Sequence, residues 1–267
     1  MGVLDGLTFY DPTGRRVGDG DSVTIVEYLR GGPDDARCTA FVELGSRRLV
    51  MKSHRWRRLR RRITATLGRS SLNNEMVMLH RARTAGFATA QLFAHAVQRR
   101  LALISRKVLL TIRVDDHVSL DEWLRAATVR DEPSSFTEAR QALATLLGRV
   151  RSAGLADRDF GAHNLLVQKD ADLPSEVIWV DLEAAYPASP QDADATCRTV
   201  GAALANWWIC TGENQDRLVG AFASIRQHVP EPRGGWGNGT RRVNAVIFRR
   251  VDRQVRSGRA GRIPDAL

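Results

Sequence analysis

Apolar and polar residues alternate along three consecutive segments near the start of the chain. These segments are Val23 to Leu29, Arg37 to Leu44 and Arg47 to Lys52, and they are interrupted by Gly31-Gly32-Pro33 and by Gly45-Ser46. Alternation with a period of two is typical of strands that bury one face, and glycine and proline mark the turns between such strands. The pattern therefore predicts three strands in an antiparallel meander.

The periodicity then changes to that of a helix and changes back again. Leu72, Met76 and Leu79 recur at helical spacing. Residues 91–97 and 101–107 alternate once more and predict two further strands. We therefore expect a five-stranded antiparallel sheet with one helix in the N-terminal part of the chain.

Helical signals dominate after Thr111. Ser119 and Glu122, for example, form a capping-box pattern at the start of a short helix. A β-rich part followed by a helical part predicts an α+β fold of two lobes. We place a small N-terminal lobe at residues 1–107 and a mainly helical C-terminal lobe at residues 108–267.

The composition is that of a globular protein, with 43% hydrophobic and 26% charged residues. The net charge of +10 indicates an acidic partner, and nucleic acid, anionic lipid or a phosphorylated substrate would satisfy it equally. Three widely separated cysteines favour buried thiols in a reducing compartment. The chain contains no apolar run of signal-peptide or membrane-spanning length. We therefore expect a cytoplasmic protein whose membrane contacts are at most peripheral.

The segment LADRDFGAHNLLV, residues 155–167, carries candidate chemistry for phosphoryl transfer. Asp159 is followed five positions later by Asn164, and an apolar strand-like run comes next. A carboxylate can orient the attacking hydroxyl, and an amide oxygen can help to hold magnesium on the phosphates. His163 precedes Asn164 and is either a loop histidine with a structural hydrogen bond or a contact for substrate.

A second acidic candidate follows the apolar run at residues 177–180. Asp181 ends this predicted strand, and a carboxylate fixed at a strand end suits magnesium, which requires oxygen ligands. A hairpin from Leu165 to Val180, with an enlarged turn at Lys169 to Pro174, would present Asp181 beside the loop that contains Asp159.

Lys52 lies at the end of an apolar strand, where a lysine needs a partner for its ammonium group. A phosphate of ATP is one candidate partner. Glu75 lies on the predicted helix that follows, and an ion pair with Glu75 would orient Lys52 for phosphate binding.

The strand lysine, the helix glutamate, the Asp-x4-Asn loop and the strand-terminal aspartate occur in an order typical of kinases. The segments LVMKSHRWRRLRRRI, SSLNNEMVMLHRARTAGFATAQLFAHA, LADRDFGAHNLLV and VIWVDLEAA resemble motifs of the lipopolysaccharide kinase family, which comprises the Kdo and core-heptose kinases of the protein-kinase-like superfamily. The resemblance covers residues 40–190. It implies a two-lobed protein-kinase-like fold with a nucleotide-binding small lobe, and transfer of the γ-phosphoryl group of ATP, with Mg²⁺, to a hydroxyl of an acidic glycolipid or sugar.

Three features depart from the pattern of that family. Asp157 stands where most members have a histidine, so we expect altered packing of the catalytic loop. The usual Asp-Phe-Gly motif of kinases reads Asp181-Leu182-Glu183 here, which resembles the Asp-Leu-Asp variants common in the lipopolysaccharide kinases. The segment from Arg30 to Ala36 has two glycines but no full GxGxxG, and it is either a solvent-exposed turn or a loop over ATP.

Two segments are rich in arginine. The first contains Arg55, Arg57, Arg58, Arg60, Arg61 and Arg62. This segment, Arg55 to Arg62, is either a solvated cationic face or a site for a phosphorylated glycolipid or an anionic membrane surface. The second, from Arg241 to Arg262, predicts a terminal helix that packs its apolar side on the large lobe and leaves its arginines in water.

Two alternatives to a glycolipid kinase remain open from the residues. One is a kinase for another small molecule or for protein Ser/Thr, because the motifs determine the phosphoryl donor and not the acceptor. The other is a pseudokinase that binds an anionic partner. Nucleic acid is not expected, since no recognised nucleic-acid motif accompanies the charge.

Overall fold

A computed structural model describes residue 4 and residues 6–130, 133–169, 177–258 and 260–267, with the side chains of all of these except 21, 130 and 133–135. The chain folds into two compact units. The first contains Met1–Thr84 and Thr89–Asp115, and the second contains Ala85–Ala88 and Asp116–Leu267. The assignment of nucleotide binding to one lobe and of catalysis to the other stays a prediction.

The first unit is built on an antiparallel sheet that has seven strands in the described part of the chain, in the order β2-β1-β6-β7-β5-β4-β3. The strands are β1 Thr8–Tyr10, β2 Arg16–Asp19, β3 Val23–Arg30, β4 Arg37–Leu44, β5 Arg47–Arg55, β6 Leu92–Arg100 and β7 Leu103–Ile112. The predicted meander is present as β3, β4 and β5, which pair in that order.

The prediction of five strands was wrong, because β1 and β2 extend the sheet at one edge. β1 has three residues and β2 has four, and the burial pattern of β2 lacks a buried position. Such short edge strands carry too little alternation to be recognised in the sequence. Phe9 of β1 is nevertheless fully buried in the core of this unit.

Two helices, α1 Leu59–Thr66 and α2 Ser71–Thr84, belong to the first unit, where one helix was expected. α2 is the predicted helix, and its buried residues include Leu72 and Leu79. α1 begins within the arginine-rich segment Arg55 to Arg62 and buries Ala65 alone among its residues, all of which the structure describes. Its few apolar residues lie among arginines, so the sequence pattern was interpreted as a charged run and no helix was predicted there.

Strand β5 places its side chains on two faces of the sheet. Leu49 and Met51 are fully buried in the core of the unit. Lys52, the next residue, therefore points to the opposite face. This face carries α2, since Lys52 contacts Glu75 of that helix.

The second unit is mainly helical, as predicted. Its helices are α3 Leu120–Arg130, α4 Pro133–Ser152, α5 Ala193–Cys210, α6 Gln215–His228 and α7 Gly235–Arg256. α5 is the central helix, with Trp207 and Trp208 almost fully buried, and it packs against α6 and α7. Gly201 permits the close approach of α7, because a Cβ atom at this position would lie only 2.6 Å from Cβ of Val246.

Two small antiparallel sheets present the loops of the second unit. One contains β8 His117–Ser119, β10 Leu165–Gln168 and β11 Ile178–Trp179, and the other contains β9 Leu155–Asp157 and β12 Ala185–Pro187. β10 and β11 pair through Leu165 with Trp179. The expected turn was Lys169 to Pro174, and all of it except Lys169 lies outside the described residues.

The three cysteines, Cys38, Cys197 and Cys210, are free and buried, so the prediction of buried thiols is confirmed. In the described part of the chain, no helix combines the length and the apolar character that a membrane crossing requires.

Candidate active site

Lys52 and Glu75 form an ion pair within the first unit. The Nζ atom of Lys52 lies 2.7 Å from Oε1 of Glu75. The Glu75 side chain is 3% exposed and that of Lys52 is 17% exposed. A carboxylate this deeply buried is stable in its charged form only beside a cation. The pair therefore fixes the ammonium group at one position on the sheet.

Asp159 and Asn164 lie in one loop of the second unit, between β9 and β10. The side-chain amide of Asn164 donates a hydrogen bond of 3.0 Å to the backbone oxygen of Asp159. The backbone amide of Asn164 donates to Gly161 at 2.9 Å. Because the side-chain nitrogen is used inside the loop, the side-chain oxygen is the atom that could ligate a metal ion.

Asp181 follows β11 at the same end of the hairpin as Asn164. The backbone amide of Val180, one residue earlier, donates to the backbone oxygen of Asn164 at 2.9 Å. Asp181 itself adopts a left-handed backbone conformation, with φ of 54° and ψ of 60°. Aspartate is one of the few residues besides glycine that adopt this region readily. The hairpin thus brings the two predicted metal ligands to one end of a pair of strands.

Glu183 is a further acidic residue that the sequence reasoning did not assign to the site. It lies in a short 3₁₀ turn, Leu182–Ala184, directly after Asp181. A carboxylate oxygen of Glu183 lies within 4.8 Å of one of Asp181. The two oxygens suit a hard cation such as Mg²⁺, which prefers oxygen ligands. The signal was present in the Asp-Leu-Glu motif, whose first and third residues are both acidic.

The carboxylate of Asp159 has two basic neighbours. Nε2 of His163 lies 3.9 Å from Oδ2, and Nη1 of Arg250 lies 3.1 Å from Oδ1. His163 first, and Arg250 second, hold the pKa of Asp159 well below its usual range, and Asp159 raises the pKa of His163. The carboxylate is therefore ionised at neutral pH. It can accept a hydrogen bond from a hydroxyl group but is a weak base.

Arg250 is the second residue that the sequence reasoning missed. The arginines of the terminal helix were expected in water, but Arg250 of α7 donates to both Asp159 and the backbone oxygen of Arg158. The position of Arg250 could have been inferred from the helical period of α7. Ile247 and Val251 of α7 are buried, and Arg250 lies three residues after the first and directly before the second.

Asp157 is fully buried at the end of β9 and supports the loop that contains Asp159. Its Oδ1 atom accepts a hydrogen bond of 2.7 Å from the backbone amide of Asp159, and its own amide donates to Oγ1 of Thr199 at 3.1 Å. Its Oδ2 atom has no hydrogen-bond partner among the described residues. Burial raises the pKa of Asp157 to about 7. The residue at the histidine position therefore holds the backbone of the catalytic loop through a buried carboxyl group.

A cavity of about 510 Å³ lies beside Asp159 within the second unit. This volume is in the range of pockets that hold small ligands. Its other polar lining residues are Asp121, Arg125, His163, Asn206, Arg250 and Gln254. Nε of Arg125 lies 2.8 Å from Oδ1 of Asp121. Two guanidinium groups in the lining, one of them bonded to Asp159, make this cavity suited to a ligand that carries both a hydroxyl and an anionic group.

The turn between β3 and β4 has its own internal contacts. The backbone amide of Gly32 donates to Oδ2 of Asp35 at 2.7 Å. The side chain of Asp34 is 90% exposed, and its carboxylate lies 3.6 Å from Arg55. The Gly32 amide, which a phosphate-binding loop would direct at the nucleotide, is thus occupied by a carboxylate in this conformation.

The chain is similar to known proteins in both sequence and fold. The model of the "Lipopolysaccharide kinase (Kdo/WaaP) family" matches residues 30–196. Among solved structures, the chain is similar to "WaaP in complex with acyl carrier protein", with a TM-score of 0.60 and 16% sequence identity over 85% of this chain and 88% of that one. At this identity the structural likeness concerns the fold. A comparison with curated proteins gives no match.

Proposed function

This chain belongs to the lipopolysaccharide kinase (Kdo/WaaP) family and is a kinase, and on that premise we propose that it transfers the γ-phosphoryl group of ATP to a hydroxyl of an acidic, lipopolysaccharide-type glycolipid sugar. The observation that carries the proposal is the position of Asp159. Its ionised carboxylate lines a cavity that contains two guanidinium groups.

Asp159 orients the acceptor hydroxyl in this proposal. The catalytic group accepts a hydrogen bond from the hydroxyl and directs an oxygen lone pair towards the phosphorus atom. The low pKa of Asp159 suits this role, because the carboxylate stays ionised and ready to accept that bond. Asp157 keeps the loop backbone in place through the amide of Asp159.

Asn164 and Asp181 would hold Mg²⁺, and Glu183 supplies a further oxygen beside Asp181. The donor set fits the ion, since carboxylate and amide oxygens are hard ligands. Magnesium, when bound, neutralises charge on the phosphates. Lys52 would hold the phosphates of ATP, and Glu75 would fix the ammonium of Lys52. The use of ATP is consistent with a cytoplasmic location.

The two arginines that line the cavity support an acidic acceptor. Arg250 and Arg125 would bind a carboxylate or phosphate of the acceptor while its hydroxyl faces Asp159. Arginine is well suited to this task, since its planar guanidinium matches the geometry of both anions. Each guanidinium also has a carboxylate neighbour, Asp159 for Arg250 and Asp121 for Arg125, and its remaining N–H groups would serve the acceptor.

The proposal is tested by phosphate transfer from ATP to dephosphorylated core oligosaccharides, with the added phosphate detected by mass spectrometry. We expect Asp159→Ala and Asp181→Ala each to lower kcat by about 100-fold or more. Asp194→Ala, an exposed residue paired with Arg242, is the matched control and should retain activity. If the Asp159 and Asp181 variants were as active as the native chain, the assignment would be wrong.

A further inference from the structure

Helix α1 of the first unit carries a row of exposed apolar side chains. Leu59, Ile63 and Leu67 follow one another at intervals of four residues, so they lie on one side of the helix and its C-terminal turn. Their exposed fractions are 61%, 43% and 69%. Isolated exposed apolar residues need no explanation, but three on one helical face form a surface suited to an apolar partner.

Contacts beside this row fix α1 to the sheet, and Ala65, on the side of the helix away from the row, is buried. Oγ1 of Thr66 accepts a hydrogen bond of 2.8 Å from the backbone amide of Ile104 in β7. The guanidinium of Arg62 donates to the backbone oxygen of Arg100. α1 is thus presented with its apolar row outward and is not a loosely attached segment.

The surroundings of the apolar row are strongly cationic. Residues 53–74 contain seven arginines and no acidic residue. A cavity of about 300 Å³ on this unit is lined by Arg37, Arg55, Arg61 and Arg69. A second cavity, of about 450 Å³, is lined by Arg55, Arg57, Arg62, Arg99 and Arg100. Trp56 lines both cavities, so they adjoin each other.

We propose that residues 55–67 form a docking surface for an anionic lipid bilayer, in which Leu59, Ile63 and Leu67 enter the headgroup region and the surrounding arginines bind lipid phosphates. The combination of an apolar row with surrounding arginines favours a lipid bilayer as the partner. A helix with apolar residues on one face and arginines around them is typical of segments that lie in a membrane interface. Nucleic acid would use the charge but would not use aliphatic side chains at helical spacing.

This inference does not depend on the proposed reaction. Membrane binding can be measured without ATP or an acceptor, so failure of one proposal leaves the other standing. Membrane binding would give a kinase that acts on glycolipids a high local concentration of acceptor at the membrane surface.

The test is sedimentation of the full chain with vesicles of phosphatidylcholine alone or of phosphatidylcholine mixed with phosphatidylglycerol. We expect binding to the mixed vesicles, little binding to the neutral ones, and weaker binding as salt is raised, because counterions screen the arginines. Replacement of Leu59, Ile63 and Leu67 together by serine should weaken binding by about tenfold or more. Val129→Ser, at an apolar residue that is 87% exposed in the second unit, is the matched control and should bind as the native chain does.

The arginines are tested separately by Arg58→Gln combined with Arg60→Gln, with Arg253→Gln in α7 as the control. Circular dichroism of each variant establishes that the fold is retained. Equal binding of the native chain to neutral and anionic vesicles, or unchanged binding by the serine variant, would overturn the proposal. So would binding to nucleic acid or an acidic protein with none to anionic vesicles.

Tryptophan fluorescence gives an independent readout. Trp56 is partly exposed beside the apolar row, whereas Trp123, Trp179, Trp207, Trp208 and Trp236 are buried. Anionic vesicles should therefore shift the emission of Trp56 to shorter wavelength. The shift should disappear in Trp56→Phe while the vesicle binding of that variant persists. A shift that survives this substitution would contradict the assigned surface.

Discussion

Arg250 of α7 donates a hydrogen bond from Nη1 to Oδ1 of Asp159, which precedes it by 91 residues in the chain. The contact links the terminal helix to the loop between β9 and β10. An anionic group that enters the neighbouring cavity would meet Arg250 directly beside the carboxylate that is proposed to orient the acceptor hydroxyl. The groups proposed to recognise charge and to position the hydroxyl are therefore adjacent in the structure.

Arg250→Gln should reduce kcat/KM for an acidic acceptor by about tenfold or more, since a charge-assisted hydrogen bond is worth roughly 1.5–3 kcal/mol. The KM for ATP should change little. Steady-state kinetics with each substrate varied in turn measures both. Arg253→Gln is the control, because Nε of Arg253 bonds within α7 to the backbone oxygen of Arg249. Equal losses in the two variants would contradict a specific role for Arg250.

Asp157 should make stability depend on pH. In the folded state the Asp157 carboxyl group keeps its proton up to about pH 7. In the unfolded chain the same group releases its proton near its ordinary pKa of 3.8. The stability that this group contributes is therefore full below pH 3.8 and is lost as the pH rises through 7. The difference is at most about 4 kcal/mol, since one pKa unit corresponds to about 1.36 kcal/mol.

Asp157→Asn keeps an oxygen acceptor for the Asp159 amide but does not ionise. We expect this variant to be more stable than the native chain at pH 8 and to have a flatter stability profile between pH 4 and pH 7. Urea unfolding at a series of pH values measures the effect. Asp157→Ala, which removes the acceptor, should lower kcat and leave the loop less ordered. A native chain whose stability rises across this pH range would refute the buried carboxylic acid.

Lys52 and Glu75 should be energetically coupled. Lys52→Met removes the ammonium group that lies 2.7 Å from the buried Glu75 carboxylate and should destabilise the chain by about 3 kcal/mol, and Glu75→Leu removes the carboxylate beside Lys52. The double variant should lose less stability than the sum of the two single losses, because neither charged group then remains without the other. Denaturant unfolding of the four proteins forms the cycle. If the two single losses simply added up in the double variant, the ion pair would contribute nothing to stability.

Glu183→Gln should raise the Mg²⁺ concentration required for half-maximal activity by about tenfold, because a neutral amide oxygen replaces a charged ligand. Saturating Mg²⁺ should restore most of the rate. Glu43→Gln, at an exposed position in β4, is the control. An unchanged Mg²⁺ requirement would mean that Glu183 does not contact the ion, whatever the role of Asp181.

The sequence predicted the meander β3 to β5, helix α2 and the helical second unit because each of them buries a regular apolar face. It missed β1 and β2 because these strands are too short to show a clear alternation, and it missed α1 because the few apolar residues of that helix lie among arginines. Arg250 was missed for a different reason. Its proposed role depends on a contact with a residue 91 positions away, and such pairing is determined by helix packing and not by local pattern.

The close packing of α7 on α5 at Gly201 has a practical consequence for work with fragments. The span that carries the family match, residues 30–196, ends four residues into α5 and omits α6 and α7. It also omits Phe9, which completes the core of the first unit. A protein trimmed to that span would expose both cores and lack Arg250, so we expect insoluble material. Recombinant production should begin before β1 and extend beyond α7.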